Sequence, residues 1–256
     1  MKYNICYYKD NNISNCGSTF DKIAVIVEPR KHKNLIPVVM NFISILPDEW
    51  KIKIFYGKSA YNYIYNSDIK SYIDTGKIFL QQLLVDNLDR YTYSDLLKSK
   101  KFWEDCLVEN ILMFQTDSIL CKNSEFNIND FLDFDYIGSA WWFNVKNQND
   151  NCHGGNGGFS FRKRSSMIEC INKFPPVKTT GNVNILEERY EDVYFINSLF
   201  NLNKKISSKE ESKKFGVQNF YDKYKSFGTH RFWDFLSEEK KNLFLEKCPE
   251  GKIINP

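Results

Sequence analysis

An α/β fold with a mainly parallel central sheet is predicted by three observations. Short apolar, β-branched runs alternate with helical stripes along the first half of the chain. Polar residues emerge at the carboxyl ends of two of those runs, where such sheets bind ligands. With 256 residues, of which 42% are hydrophobic and 16% aromatic, the chain has enough apolar mass for one large core. A single domain spanning 1–256 is therefore expected.

Taken in order, residues 1–20 are a polar lead-in, and Lys22–Val27 (KIAVIV) is a strand of the kind buried on both faces, ending in Glu28-Pro29-Arg30. Asn34–Leu46 carries apolar residues at 35, 38, 39, 42, 43 and 46, a helical stripe that Pro47 stops. Lys51–Tyr56 is a second strand, punctuated by Gly57, and Lys77–Leu80 a third. Thr92–Cys106 reads as one helix with Leu96, Leu97 and Trp103 inward; Glu109–Phe114 is the strand that delivers Gln115-Thr116-Asp117-Ser118. Asp135–Gly138 is a short strand, followed by Trp141-Trp142 and a polar loop through Cys152. Glu191-Asp192 opens a helix whose Val193, Ile196, Leu199 and Phe200 form one apolar face. Lys204–Lys214 (KKISSKEESKK) is a charge run expected to be a solvated, mobile connection. Ser237 caps a last helix that begins with Glu238-Glu239, acids favoured by the helix dipole.

Composition excludes several classes. Lys and Arg total 35 against 32 acids, a net charge of +3, which makes no electrostatic case for nucleic acid or an anionic membrane. Seven scattered cysteines, an odd number without a C-x-x-C pair, argue against a disulfide framework and a structural zinc site. No run reaches the length of a membrane span and the first residues lack the apolar core of a signal peptide. The expectation is a soluble protein of a reducing, cytoplasmic compartment, with Asn12-Ile13-Ser14 a chance sequon.

Four features carry chemistry, each with a structural alternative. Asp117 at a strand end either caps a turn or presents a carboxylate to a cleft. Gly154-Gly155-Asn156-Gly157-Gly158 is either a surface turn or a backbone that approaches a ligand closely. It is neither a dinucleotide fingerprint, since Ser160 stands where the third glycine belongs, nor a P-loop. Glu191 and Asp192 either complement a helix dipole or form an acid pair for proton transfer. His230, in SFGTHRFW, is either packed among aromatics or a ligand, whereas His153 beside Cys152 lacks metal-ligand spacing. Trp141 and Trp142, adjacent on an extended segment, point to opposite faces, which leaves one for a cleft where it can stack on a sugar or base.

In this order the stretches AVIVEPR, ILMFQTDSIL, FDYIGSAWW, GGNGGFSFRKRS, EDVYF and FGTHRFW resemble the glycosyltransferase A-type superfamily. Within it, the texture is similar to uncharacterised glycosyltransferase-like proteins of microbes and large viruses. The resemblance covers residues 23 to 233 and implies a single Rossmann-like glycosyltransferase A-type domain that transfers a sugar from a nucleotide-diphosphate sugar to a glycan or other hydroxyl acceptor. It puts Asp117 at the aspartate motif that holds Mn²⁺ or Mg²⁺ on the donor, with Gln115, Thr116 and Ser118 around the donor and Glu28 and Arg30 near the nucleotide. It implies that Gly155, Asn156, Gly157 and Gly158 line the sugar site, that Asp192, or else Glu191, is the general base, and that His230 is the late metal ligand. The first acid of the D-x-D motif is Gln115 here, so a metal would depend on one carboxylate, the donor's phosphates and water. That departure keeps a second reading open, a non-catalytic glycan or nucleotide-sugar binding protein on the same fold. A metal-dependent phosphohydrolase is a third reading, disfavoured by the lack of a second acid in FQTDS.

Overall fold

The structure is a computed structural model that describes residues 20–142, 152–176, 189–222 and 224–254. Residues 1–19 of the polar lead-in, with its sequon, and residues 143–151 of the loop after Trp142 lie outside the described residues.

The apolar runs form strands where the sequence places them. β1 is Lys22–Val27, β2 Lys51–Gly57, β3 Ile78–Leu83 and β4 Asn110–Phe114, all parallel. β5 (Ser118–Leu120) leaves this sheet, while β6 (Tyr136–Ser139) and β7 (Asn156–Lys163) complete it; β7 runs antiparallel to β4 and to β6. The six-stranded order is β3-β2-β1-β4-β7-β6. β8 (Gly216–Val217) and β9 (Gly228–His230) join β5 in a three-stranded sheet, β5-β9-β8.

From β1 the chain winds outward through β2 and β3, then returns to the other side of β1 as β4. The β1/β4 seam is therefore a topological switch point, and the crevice beyond its carboxyl ends is where an open α/β sheet binds ligands. Glu28 follows β1 and Gln115 follows β4, so both rims belong to that crevice.

Strand alternation divides the core between two faces. Ala24, Ile26, Ile54, Leu112 and Phe114 pack toward helix α1 (Leu35–Ile45) and the small sheet. Val25, Phe55, Ile111 and Met113 face the opposite layer, to which helices α4 (Arg90–Leu97), α5 (Lys100–Cys106), α6 (Arg164–Lys173) and α7 (Glu191–Asn201) belong. Between α1 and α4 lie the short helices α2 (Tyr61–Tyr65) and α3 (Lys70–Asp74). The chain continues with α8 (Lys209–Phe215), α9 (Phe232–Phe235) and α10 (Glu238–Lys247), the last capped by Ser237 as expected. No helix among the described residues is long and apolar enough to cross a membrane.

Four expectations need correction. The stretch read as one helix over 92–106 is two, because Ser99 adopts an extended conformation and caps a new start by accepting Phe102 N–H at 3.3 Å. The charge run 204–214 is not a structureless connection: Ser208 and Glu211 form a capping box for α8, Ser207, Ser212 and Phe215 are buried, and Ile206 bridges to Tyr136. Phe200 lies off the apolar face of α7, exposed, while Phe195 takes its place in the core. Finally, Cys121 and Cys248 form a disulfide. An odd count and wide spacing concern neighbours in sequence, and these two cysteines meet across 127 positions because α10 returns to the end of β5.

β5 is held on both sides. β9 pairs with it, Ser118 opposite His230, and on the other edge Asn41 of α1 donates its amide to Leu120 O (3.0 Å) and accepts Leu120 N–H (2.8 Å). The side chain of Asn41 thus stands in for a missing strand, leaving no buried backbone group of Leu120 unsatisfied.

Candidate functional site

A cavity of about 420 Å³ opens at the switch point. Its walls come from the ends of β1 (Glu28, Arg30), β4 (Gln115, Thr116, Asp117), β7 (Asn156, Gly158) and β9 (His230, Arg231) and from the first turns of α4 and α7. Segments more than two hundred residues apart in the chain therefore share one site.

At the floor, Asp117 Oδ1 lies 3.3 Å from His230 Nε2, and Arg231 Nε is 3.9 Å from Oδ2. The β5–β9 register creates this pairing, since Ser118 opposite His230 brings the residue before β5 alongside the end of β9. Arg231 N–H also donates to Asp117 O at 3.1 Å. Burial works to raise the Asp117 pKa, but the charges of His230 and Arg231 overcome it and hold the carboxyl below its ordinary value. It is an anion at neutral pH. His230 is positioned by Gln218, whose Oε1 is 3.1 Å from Nδ1, and its Nε2 also faces Gln115 Oε1 at 3.4 Å. With Gln218 accepting at Nδ1, Nε2 faces two oxygens, Asp117 Oδ1 and Gln115 Oε1, an arrangement completed by a proton on Nε2 or by a shared cation.

Whether a divalent cation suits this corner is tested by Asp117 Oδ1, a buried atom whose neighbour His230 Nε2, at 3.3 Å, makes no hydrogen bond of ordinary geometry with it. Adjacent ligands of an octahedral ion with bonds of ~2.1 Å lie ~3 Å apart, and the 3.3 and 3.4 Å separations here are close to that. Among the described residues no three His, Cys, Asp or Glu side chains gather as a metal group, so the third protein donor would be the neutral amide oxygen of Gln115. The residues fit a weakly charged, three-donor site.

The opposite wall is built on α7. Asp192 Oδ2 accepts Gly157 N–H at 3.1 Å and Oδ1 accepts Val193 N–H at 2.8 Å. Burial, then the charge of Glu191 beside it, push the Asp192 carboxyl up to about 6, a value suited to a base near neutral pH. Glu191 is committed elsewhere. Arg162, wholly buried on β7, donates to both of its oxygens (2.5 and 3.0 Å), to Gly157 O (3.1 Å) and to Ser160 Oγ (2.9 Å). Gly157 is bracketed by this network: its carbonyl takes Arg162, its N–H serves Asp192, and a Cβ on it would come within 2.3 Å of Glu191 Oε1.

Glu28 and Arg30 are both on the cavity wall, but as a pair. Glu28 is buried and accepts Arg30 N, Nε and Nη2 at 3.0, 2.8 and 2.9 Å, so it holds the guanidinium at the rim rather than reaching for a ligand itself. Thr116, Asn156 and Gly158 line the cavity as expected. A Cβ on Gly158 would lie 2.4 Å from His230 Nε2 and 2.9 Å from Gln115 Oε1, so only glycine leaves that corner open.

Other expected contributors, Gly157 among them, are not on the wall. Ser118 is buried and ties β5 to β7, its Oγ accepting Gln115 N–H and donating to Gly158 O. Gly155, at φ +90°, serves a close crossing in which a Cβ would meet Gly138 O at 2.4 Å. Trp141 is buried in the core against His153, and Trp142 is 69% exposed on the surface, because the chain leaves β6 at Ser139 and turns away from the cavity. His153 is itself buried, its ring nitrogen accepting Trp141 N–H at 3.3 Å.

Sequence reasoning passed over Arg162, Arg231, Gln218 and Tyr93. Only Arg162 carried a signal: in FSFRK it stands at an inward position of an alternating strand, where an unpaired charge is not tolerated and a partner must exist.

Comparison with known proteins adds the following. Residues 78–230, more than half of the chain, match a family described as "Protein of unknown function (DUF5672)". No curated protein matches the sequence. The fold resembles that of the apo-form glycosyltransferase GlyE of Streptococcus pneumoniae TIGR4, with 13% identity over 91% of this chain and 62% of that one and a TM-score of 0.51. It also resembles S. aureus TarS 1-349, with 12% identity over 91% of this chain and 69% of that one and a TM-score of 0.52. At such identity the likeness is one of fold, and it bears out the expected glycosyltransferase A-type class. The chain spans less than two thirds of the GlyE chain's length.

Proposed function

The chain belongs to the DUF5672 family, and with that membership and the glycosyltransferase fold as premises we propose that it transfers a sugar from a nucleotide-diphosphate sugar to a hydroxyl group of a glycan or other acceptor. The observation that carries this reading is the two-walled cavity. A carboxylate of depressed pKa stands among His230, Arg231 and Arg30 on one wall, and a carboxylate raised to about 6 stands on the other.

The two walls suit the two halves of glycosyl transfer. Departure of a nucleoside diphosphate develops negative charge, which the cations Arg30 and Arg231 and the imidazole of His230 are placed to stabilise. On the other wall, Asp192 takes the proton of the acceptor hydroxyl at its carboxylate, supported by the Gly157 N–H. Mn²⁺ or Mg²⁺, held by Asp117, His230 and the Gln115 amide, would supply further neutralisation of the leaving diphosphate. The low protein charge of that corner makes the donor's own phosphates part of any ion's coordination.

The test is a thermal-shift panel of UDP, GDP, CDP and dTDP with their sugar conjugates, each with Mn²⁺, Mg²⁺ or chelator. A ligand at about 100 times its Kd adds ~2.7 kcal/mol, which for a domain of this size raises Tm by several degrees at roughly 2–4 °C per kcal/mol. One family of nucleotides is expected to do so. Asp117→Asn is expected to lower transfer from the conjugate so found by about 10²-fold or more. A panel without any shift would remove the reading.

Gln115, in place of a second carboxylate beside Asp117, favours one other reading: a nucleotide-sugar or glycan binding protein without turnover. Saturable binding of a conjugate with no release of nucleoside diphosphate, across a range of hydroxyl acceptors, would establish it.

A further inference from the structure

Two buried polar atoms on the cavity wall lack a hydrogen bond of ordinary geometry, Asp117 Oδ1 and the hydroxyl of Tyr93. The first is accounted for by the cation corner. The second has no role in anything described so far, although leaving a hydroxyl buried and unpaired is costly.

Tyr93 lies in the first turn of α4, whose start is fixed by Asp89, the cap that accepts Tyr91 and Thr92 N–H at 2.9 and 2.8 Å. The ring is therefore carried on a firmly anchored turn. Burial, with the charge of Glu191 next, raises the pKa of the phenol, so it is a neutral donor throughout the physiological range. Its polar surroundings are Glu191 and Arg162 on the proton-transfer wall and, on the diphosphate wall, Asp117 and Gln115, whose side chain is the nearest partner but makes no hydrogen bond of ordinary geometry with it. It thus stands between the two corners.

We propose that the Tyr93 hydroxyl is a substrate-positioning donor that hydrogen-bonds a hydroxyl oxygen of the sugar being transferred. This rests on the glycosyl-transfer reading above. A neutral polyol suits this position, because Arg162, the cation beside it, is already paired with Glu191 and the neighbouring Asp117 is an anion. The cations that a diphosphate needs, Arg30 and Arg231, line the cavity together with the His230 imidazole.

The test is Tyr93→Phe, read in three ways. First, Tm without ligand is expected to be unchanged or raised, because the substitution removes an unsatisfied group rather than a bond; a fall of several degrees would mean that the hydroxyl has a structural partner and would overturn the proposal. Second, Kd values are compared for UDP, GDP, CDP and dTDP and for UDP-glucose, UDP-N-acetylglucosamine, GDP-mannose, CDP-glucose and dTDP-glucose. The conjugate that binds the wild type is expected to bind the variant about tenfold more weakly, with its parent diphosphate unaffected. Equal weakening of the diphosphate would assign the hydroxyl to a phosphate and overturn the sugar contact, as would a conjugate bound equally by both proteins. Third, kcat/KM for that conjugate is expected to fall at least as far as the affinity. A wild-type protein that binds no conjugate removes the glycosyl-transfer reading and this contact with it. Wild-type binding with an indifferent variant removes the role of Tyr93 alone.

Discussion

Asp192→Asn is expected to lower sugar transfer by roughly 10²- to 10⁴-fold, the range for removing a general base, while leaving binding of the nucleotide sugar nearly intact. The amide keeps the shape and can still accept Gly157 N–H, but it cannot take a proton. In the wild type, transfer under subsaturating substrate should rise with pH through about 6 as Asp192 ionises and then level off; the residual rate of the variant should lack that limb. Stability carries the opposite sign. The folded carboxyl has a pKa above its ordinary value, so its contribution is fully present below about 4 and is lost as pH rises through about 6. Above that the charged group costs at most about 3 kcal/mol, and less to the extent that cavity water solvates it. A Tm-versus-pH series should therefore show the wild type losing ground to Asp192→Asn between pH 4 and 7. A variant as active as the wild type would mean that another group takes the proton.

Arg162→Met should have the largest effect on folding. It leaves the Glu191 carboxylate buried beside Asp192 without its guanidinium, a loss of ~3–5 kcal/mol, or roughly 6–20 °C in Tm. Gly157 O and Ser160 Oγ lose a donor in the same step. Adding Glu191→Gln should recover much of the deficit, since the second change removes the stranded charge; a double-mutant cycle from denaturant unfolding measures the coupling. Additive losses would mean that the two side chains do not act as a pair.

The continuous apolar runs were legible because burial on both faces leaves little else for a run such as KIAVIV to be, and β1, β2, β4 and α1 lie within a residue or two of their expected ends. Capping was underread. Ser99 and the Ser208…Glu211 box were visible as residue types, but one stood inside an apolar periodicity and the other inside a charge run, and those broader patterns masked both. At the site, Asp117, Asp192 and His230 were legible because each ends or begins an element, and the structure brings all three to one cavity. Arg162, Gln218 and Tyr93 were not, since what gives each its significance is a neighbour 29, 12 or 98 positions away, and periodicity is silent at such distances. Glu191 and Asp192 could not be told apart in sequence. Only the presence of Arg162 opposite one and a backbone N–H opposite the other separates a buried ion pair from a carboxylate free to exchange its proton.

The bond between Cys121 and Cys248 has a topological consequence. It closes a ring containing β6, β7, α7 and β9, and with them Gly157, Asp192 and His230, while Asp117 lies just outside, in the turn before β5. A backbone cut anywhere inside the ring leaves the fragments covalently joined. They travel as one molecule on a denaturing gel until a reductant parts them, so a nicked protein and an intact one have the same mass but for a water.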